Sequence, residues 1–144
     1  MAHYADTSFL VSYYGQDAHS AAALPALSAR PVSLPFTALH HLELRNAFEL
    51  AVQRGVLTAG GVRLVWAVVL GDVRRKRLLR AAVDWRAAWR RAAKLSARHT
   101  QRLGTRSLDI LHVAVAQEMG ARELFSFDHR QRQLAAAEGL NVIP

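Results

Sequence analysis

One stretch near the end of the chain constrains the fold most. Residues 108–116 read LDILHVAVA, so every position except Asp109 and His112 is apolar. A helix that is apolar on all sides must be buried on all sides. We therefore expect a central core helix here, with His112 as a hydrogen-bonded core histidine. Asp109 needs a cationic partner or a place near the surface, because burying an unpaired charge is costly.

Short strand patterns alternate with helix patterns along the whole chain. The strand patterns lie at residues 3–6, 31–36, 122–128 and 140–144, and the helix patterns at residues 7–15, 17–30, 37–55, 58–72, 84–99, 108–120 and 129–139. For residues 58–72 a buried strand is the alternative. The alternation predicts an α/β fold in which a short, mainly parallel central sheet is flanked by helices. With 144 residues and neither repeats nor linkers, a single domain over residues 1–144 is expected.

The composition excludes several classes of protein. The chain has no cysteine, which excludes disulfides and thiolate metal sites. Its N-terminus shows no basic leader followed by a long apolar run, and no apolar stretch approaches the roughly 20 residues that span a bilayer. We therefore expect a cytoplasmic protein with no membrane association.

The positive charge is concentrated in the middle of the chain. The formal net charge is +8, and twelve of the nineteen Lys and Arg residues lie within residues 74–106, opposed there by Asp84 alone. Such clustering predicts a polyanionic partner, nucleic acid first and an acidic protein second; a solvated helix face is the alternative. The candidate nucleic-acid contacts are Arg86, Arg90, Lys94, Arg98 and Arg106.

Four acidic residues stand out by their position. Asp6 and Asp128 follow strand patterns, and so belong at the sheet edge where parallel α/β sheets bind ligands. Glu43 shares a helix face with apolar residues at spacings of four and seven. Asp109 lies in the first turn of the core helix.

Each of these acids also has a purely structural interpretation. Asp6 and Asp128 can cap the helices that follow them, Asp128 as part of a capping box with Gln131. The carboxylate in the core helix can interact with the positive end of that helix, with Ser107 as its cap. Glu43 can pair with a neighbouring arginine.

Taken together, the four acids favour a metal site. Carboxylates held close together repel each other unless a cation neutralises them. Hard oxygen ligands without clustered His or Cys suit Mg²⁺ or Mn²⁺. Combined with the basic segment at residues 74–106, such a site predicts metal-assisted hydrolysis of phosphodiester bonds.

The chain resembles the PIN-domain ribonucleases, the fold of VapC-type toxins in bacterial toxin–antitoxin pairs. The resemblance rests on four stretches in order and covers most of the chain outside residues 56–98. They are YADTSFLVSYY, FTALHHLELRNAFEL, GTRSLDILHVAVAQEMGA and LFSFDHRQRQLAAAEGLNVIP. The resemblance implies a Mg²⁺- or Mn²⁺-dependent endoribonuclease that acts on RNA as the toxin of a type II pair, with a cognate antitoxin as its protein partner. An apolar surface on the helix pattern at residues 58–72 is expected to serve either a homodimer or the antitoxin.

The resemblance further implies roles for individual residues. The family's acidic catalytic set corresponds to Asp6, Glu43, Asp109 and Asp128. Of these, Asp6 and Asp109 are expected to contact the metal, and Glu43 and Asp128 to act through water. The supporting residues are Ser8, Thr7 and Asn46.

One departure from the family pattern bears on the number of metal ions. Some members carry an extra acid just before the third one, where this chain has Arg106. We therefore expect one well-held ion, with a second only in the presence of substrate.

Two other functions stay open. The first is a PIN-like module that has lost catalysis and binds nucleic acid or a protein partner. The second is a small-molecule phosphohydrolase with a covalent aspartyl intermediate. That chemistry usually requires a second acid two residues after the nucleophile, where this chain has Ser8.

Overall fold

The computed structural model describes residues 2–144 and has an α/β fold, as predicted. Its strands are β1 (His3–Ala5), β2 (Leu34–Phe36), β3 (Leu78–Arg80), β4 (Glu123–Phe125) and β5 (Asn141–Ile143). Its helices are α1 (Thr7–Tyr14), α2 (Ser20–Ser28), α3 (Ala38–Gln53), α4 (Ala59–Arg74), α5 (Trp85–Leu103), α6 (Ser107–Glu118) and α7 (His129–Ala137).

These elements form two compact units. The terminal unit contains the N-terminal residues up to Asp6 together with Ala82–Pro144, and the inserted unit is Thr7–Ala81. The strands pair within these units as two sheets, one of three strands and one of two. The parallel pairing itself is confirmed.

The terminal unit is built on the sheet β1-β4-β5, with β4 in the middle. Ala5 pairs with Phe125, and Phe125 pairs with Ile143, so the three strands end at the same edge. Helix α6 is buried at seven consecutive residues, 110–116, which confirms the predicted core helix. Its His112 ring is hydrogen-bonded to the buried Tyr4 hydroxyl at 2.8 Å, so this histidine belongs to the core.

The start of α6 differs from the prediction by one position. The helix begins at Ser107 itself, and its N-cap is Arg106, which makes no side-chain capping hydrogen bond. The interpretation of Ser107 as the cap was therefore wrong. The Arg106 backbone is extended, with φ −91° and ψ 155°, which places its side chain just outside the first turn.

The inserted unit pairs β2 with β3, an element that the sequence did not predict. Strand β3 is three residues long and only Leu78 in it is buried, which leaves no apolar alternation to recognise. Within β2, Pro35 has no N–H to donate, so it suits the edge of a short sheet. Residues 59–74 form a helix, which excludes the strand alternative for that segment.

The helices α3 and α5 each bury one face. On α3 the buried residues are His40, Leu44 and Phe48, and Glu43 lies half-buried beside them. On α5 small and apolar residues face inward, whereas Trp89 is 54% exposed. No helix in residues 2–144 is both long and apolar enough to cross a membrane.

Candidate active site

Asp6 lies at the carboxyl edge of the three-stranded sheet and is 2% exposed. It follows β1 directly, and its backbone N–H continues the ladder to the Phe125 carbonyl at 3.0 Å. Ser126, which follows the neighbouring β4, donates its hydroxyl to Asp6 Oδ2 at 2.6 Å. The parallel pairing of β1 and β4 therefore fixes this carboxylate at the strand ends, as the sequence predicted.

Two buried polar residues, Ser126 and Gln131, connect the acids of the terminal unit. The backbone N–H of Asp128 donates to Ser126 Oγ at 3.1 Å, and Gln131 Oε1 lies 3.2 Å from the same oxygen. Gln131 Nε2 donates to the Asp109 carbonyl oxygen at 3.0 Å. One network thus links Asp6, Asp109 and Asp128, which are far apart in the sequence.

The role of Ser126 was not predicted from the sequence, and Gln131 was predicted only as part of a capping box. A usable signal was present, because the serine follows an apolar strand and precedes Asp128 by two residues. Both side chains are buried in the structure, where Ser126 is 0% exposed and Gln131 is 1% exposed. A buried hydroxyl and a buried amide need partners, and here those partners belong to the acidic site.

Asp128 is the N-cap of α7, and its Oδ1 accepts from the Gln131 backbone N–H at 2.8 Å. Half of the predicted capping box is therefore confirmed. The other half was wrong, because the Gln131 side chain turns to Ser126 and to the Asp109 carbonyl. The second oxygen of Asp128, Oδ2, lies 3.5 Å from Arg106 Nη2.

The cation expected beside Asp109 is Arg106. Its Nε donates to Asp109 Oδ2 at 2.9 Å, across one turn at the start of α6. The hydrogen bond to Asp109, with the attraction of the same carboxylate, raises the pKa of the Arg106 guanidinium. The arginine proposed as a nucleic-acid contact therefore lies on the acids themselves in this structure.

Glu43 lies in the inserted unit, on α3. Thr7, the residue that follows Asp6 in the chain, donates its hydroxyl to Glu43 Oε2 at 2.6 Å. Thr7 is buried, whereas Ser8 and Asn46 are exposed. Of the supporting residues, Thr7 thus orients one of the four predicted acids.

The donor chemistry of the terminal unit fits a hydrated divalent cation. Within residues 2–144, no group of three or more His, Cys, Asp or Glu side chains is placed so that it could hold a metal ion. Mg²⁺ does not require such a group, because it keeps several waters and binds through one or two carboxylates. Arg106 already places a positive charge against both Asp109 and Asp128, so this edge accepts a cation.

Three of the five candidate nucleic-acid contacts are exposed and have no acidic partner within residues 2–144. Arg86, Arg90 and Lys94 are exposed on α5 and form no ion pair with the described part of the chain. Arg98 differs, since it donates to Glu138 Oε1 at 2.8 Å. Exposed, uncompensated cations in a row along one helix are suited to a polyanion.

The fold is thus an α/β domain in which a hydrogen-bond network joins three acidic residues at the carboxyl edge of a parallel sheet. The family model described as "PIN domain" matches residues 4–137. The chain therefore belongs to the PIN domain family.

Solved structures share the fold. The VapC20 toxin of Mycobacterium tuberculosis, described as cleaving the sarcin–ricin loop, superposes with a TM-score of 0.68 at 21% identity, over 99% of this chain and 100% of that one. FitAcB of Neisseria gonorrhoeae gives 0.61 at 13% identity, over 99% and 96%. PAE2754 of Pyrobaculum aerophilum gives 0.57 at 15% identity, over 99% and 89%. A search of curated protein sequences gave no match.

Proposed function

We propose that the protein is a Mg²⁺- or Mn²⁺-dependent endoribonuclease and the toxin of a type II toxin–antitoxin pair. The observation that carries the proposal is the network that links Asp6, Asp109 and Asp128 at the carboxyl edge of the sheet. Membership of the PIN domain family and the shared fold of the VapC20 toxin support the same function.

The acids would hold the metal. Asp6 and Asp109 are the proposed direct ligands, and Glu43 and Asp128 act through water. A bound Mg²⁺ or Mn²⁺ supplies Lewis-acid polarisation of the scissile phosphate and lowers the pKa of a water molecule. Membership of the PIN domain family and the oxygen donors of the site support the binding of such an ion.

The surrounding residues orient those acids. The Ser126 hydroxyl keeps one oxygen of Asp6 engaged, which fixes the direction of the other. Capping of α7 likewise fixes the orientation of Asp128, because the Gln131 backbone N–H donates to Asp128 Oδ1. Thr7 performs this role for Glu43. Such partners of metal-binding carboxylates set ligand geometry and affinity.

The exposed cations of α5 are the proposed RNA-binding surface. Arg86, Arg90 and Lys94 would contact phosphates, which position the RNA without reading its sequence. Trp89 is exposed on the same helix and offers an aromatic face for stacking. We propose that an acidic segment of the antitoxin covers this surface and so blocks the RNA.

A cleavage assay on total RNA, with and without divalent metal ions, tests the proposal. We expect fragments in Mg²⁺ or Mn²⁺, none in EDTA, and none with Asp6→Asn, which removes one charge and keeps the side-chain shape. Circular dichroism of the variant checks that the fold is retained. If the folded variant cleaves as fast as the parent protein, the proposed mechanism is wrong.

The alternative function is a non-catalytic PIN module that binds nucleic acid or a partner. The observation that favours it is the Arg106 guanidinium lying against two of the acids. RNA binding without cleavage in any divalent metal would establish this alternative.

A further inference from the structure

Arg106 contacts two carboxylates from two different helix starts. Its Nε lies 2.9 Å from Oδ2 of Asp109, in the first turn of α6, and its Nη2 lies 3.5 Å from Oδ2 of Asp128, the N-cap of α7. One guanidinium thus offsets part of the negative charge of two acids that are nineteen positions apart in the chain. Both acids belong to the set proposed above as the metal site.

The local backbone holds the arginine in this position. Arg106 is the N-cap of α6 and is extended, while Asp109 lies three residues later on the same helix end. Asp128 is fixed independently by its own capping hydrogen bond from Gln131. The guanidinium therefore meets both acids without distortion of either helix.

The arginine is more exposed than the two acids that it contacts. The Arg106 side chain is 71% exposed, whereas those of Asp109 and Asp128 are 19% and 26% exposed. Exposed ion pairs of this kind contribute little to stability, because solvent screens them and ordering a long side chain costs entropy. The arginine can leave the acids while they stay in place.

From this geometry we infer that Arg106 is a built-in counter-cation that competes with divalent ions for Asp109 and Asp128 and so limits the site to one ion. The inference rests on the proposed function, since it concerns the same acids. A positive charge held at this pair disfavours a second cation there by direct repulsion. The ion pairs of Arg106 are with Asp109 and Asp128, whereas Asp6 accepts a hydrogen bond from the Ser126 hydroxyl.

Titration calorimetry with Mn²⁺ on Arg106→Gln tests the inference without any activity measurement. We expect Mn²⁺ to bind about fivefold more tightly than to the parent protein, the effect of removing one charge a few ångströms away in a well-hydrated site. A second binding event per chain is also expected. Arg106→Lys keeps the charge and should bind Mn²⁺ as the parent protein does.

Arg86→Gln is the matched control, because Arg86 is exposed on α5 and its replacement changes the net charge by the same amount. Equal Mn²⁺ affinities for Arg106→Gln and Arg86→Gln, or an unchanged affinity for Arg106→Gln, overturn the inference. Failure of the proposed function is distinct: the parent protein would then neither bind Mn²⁺ nor cleave RNA.

Discussion

Ser126 is the residue on which the geometry of the acidic edge depends most. It is fully buried, donates to Asp6 and accepts from the Asp128 N–H. Its hydroxyl thus connects the ends of β1 and β4 to the start of α7 by hydrogen bonds. Orienting partners of metal ligands typically contribute 10- to 100-fold in metal affinity.

Ser126→Ala should therefore weaken Mn²⁺ binding by about 10- to 100-fold while leaving the fold intact. The loss of the hydrogen bonds should lower the free energy of unfolding by about 1 kcal/mol. Calorimetry and chemical denaturation measure the two effects. Ser107→Ala, at the exposed first residue of α6, serves as the control and should change neither quantity. Mn²⁺ affinity equal to that of the parent protein would show that Ser126 is structural only.

At the scale of elements, Glu138 joins three helices of the terminal unit. It follows α7 and accepts from Arg98 at 2.8 Å and from Gln117 Nε2 at 3.1 Å, and it is hydrogen-bonded to His99 Nε2 at 2.6 Å. Burial alone would raise the pKa of Glu138, but the hydrogen bonds from His99, Gln117 and Arg98 outweigh it and lower that pKa. The carboxylate form therefore stabilises the packing of α5, α6 and α7.

Glu138→Gln should lower the free energy of unfolding by about 1–2 kcal/mol at neutral pH. The folded-state pKa lies below the ordinary value of 4.5. The stabilisation is thus present above that value and is lost as the pH falls through the folded-state pKa. The gap between parent and variant should narrow below about pH 4.5, as measured by denaturation at several pH values.

Glu49→Gln, in an exposed ion pair with Arg45 on α3, is the control for this pH dependence. Because exposed pairs contribute about 0–1 kcal/mol, its gap should be small at every pH. A Glu138→Gln gap that does not change with pH would contradict the role assigned to the carboxylate.

The elements that the sequence predicted are those with strong apolar patterns. α6 follows from a long apolar run, and seven consecutive residues of that run are buried. The strands β1 and β4 are three residues long with two buried residues each, and short apolar patterns were enough to locate them. β3 was missed because only Leu78 in it is buried, and pairing with β2 alone makes it a strand. The two separate sheets depend on such pairing, which no local pattern encodes.

The candidate site was predictable to the extent that acids follow strands. Asp6 directly follows β1 and was placed correctly. The predicted strand at residues 122–128 was too long: β4 ends at Phe125, and Asp128 lies three residues further on as the N-cap of α7. The contact of Arg106 with both acids was not predictable, since it depends on where α6 begins. The links through Ser126 and Gln131 depend on burial of polar side chains, which single-sequence patterns do not report.

On the scale of the whole molecule, the excess of cations would favour encounters with the proposed RNA substrate. Replacing Arg86, Arg90 and Lys94 by Gln removes three proposed phosphate contacts. For single-stranded RNA each contact contributes about 0.7 to the slope of log affinity against log salt, so that slope should fall by about 2. Filter binding over a range of salt concentrations measures it. An unchanged slope would assign α5 to the antitoxin rather than to RNA.

An exposed apolar face on α4 bears on assembly. Leu64 is 72% exposed and Val68 54%, and Leu64 lines a groove of about 660 Å³ together with Leu50 and Val56. We assign this face to the proposed homodimer, since an apolar patch can meet its own copy about a twofold axis. Leu64→Glu with Val68→Glu should convert a dimer to a monomer in light scattering, whereas Leu42→Glu, on α3, should not. A monomeric parent protein would contradict the assignment.

We propose that Asp6, Asp109 and Asp128 together form one divalent-cation site. Titration of Mn²⁺ into the parent protein, Asp6→Asn and Asp109→Asn tests it most directly, with Glu49→Asn as a charge-matched control. We expect one Mn²⁺ ion per chain for the parent protein and the control. Both aspartate variants should lose that binding. Equal Mn²⁺ binding by all four proteins would contradict it.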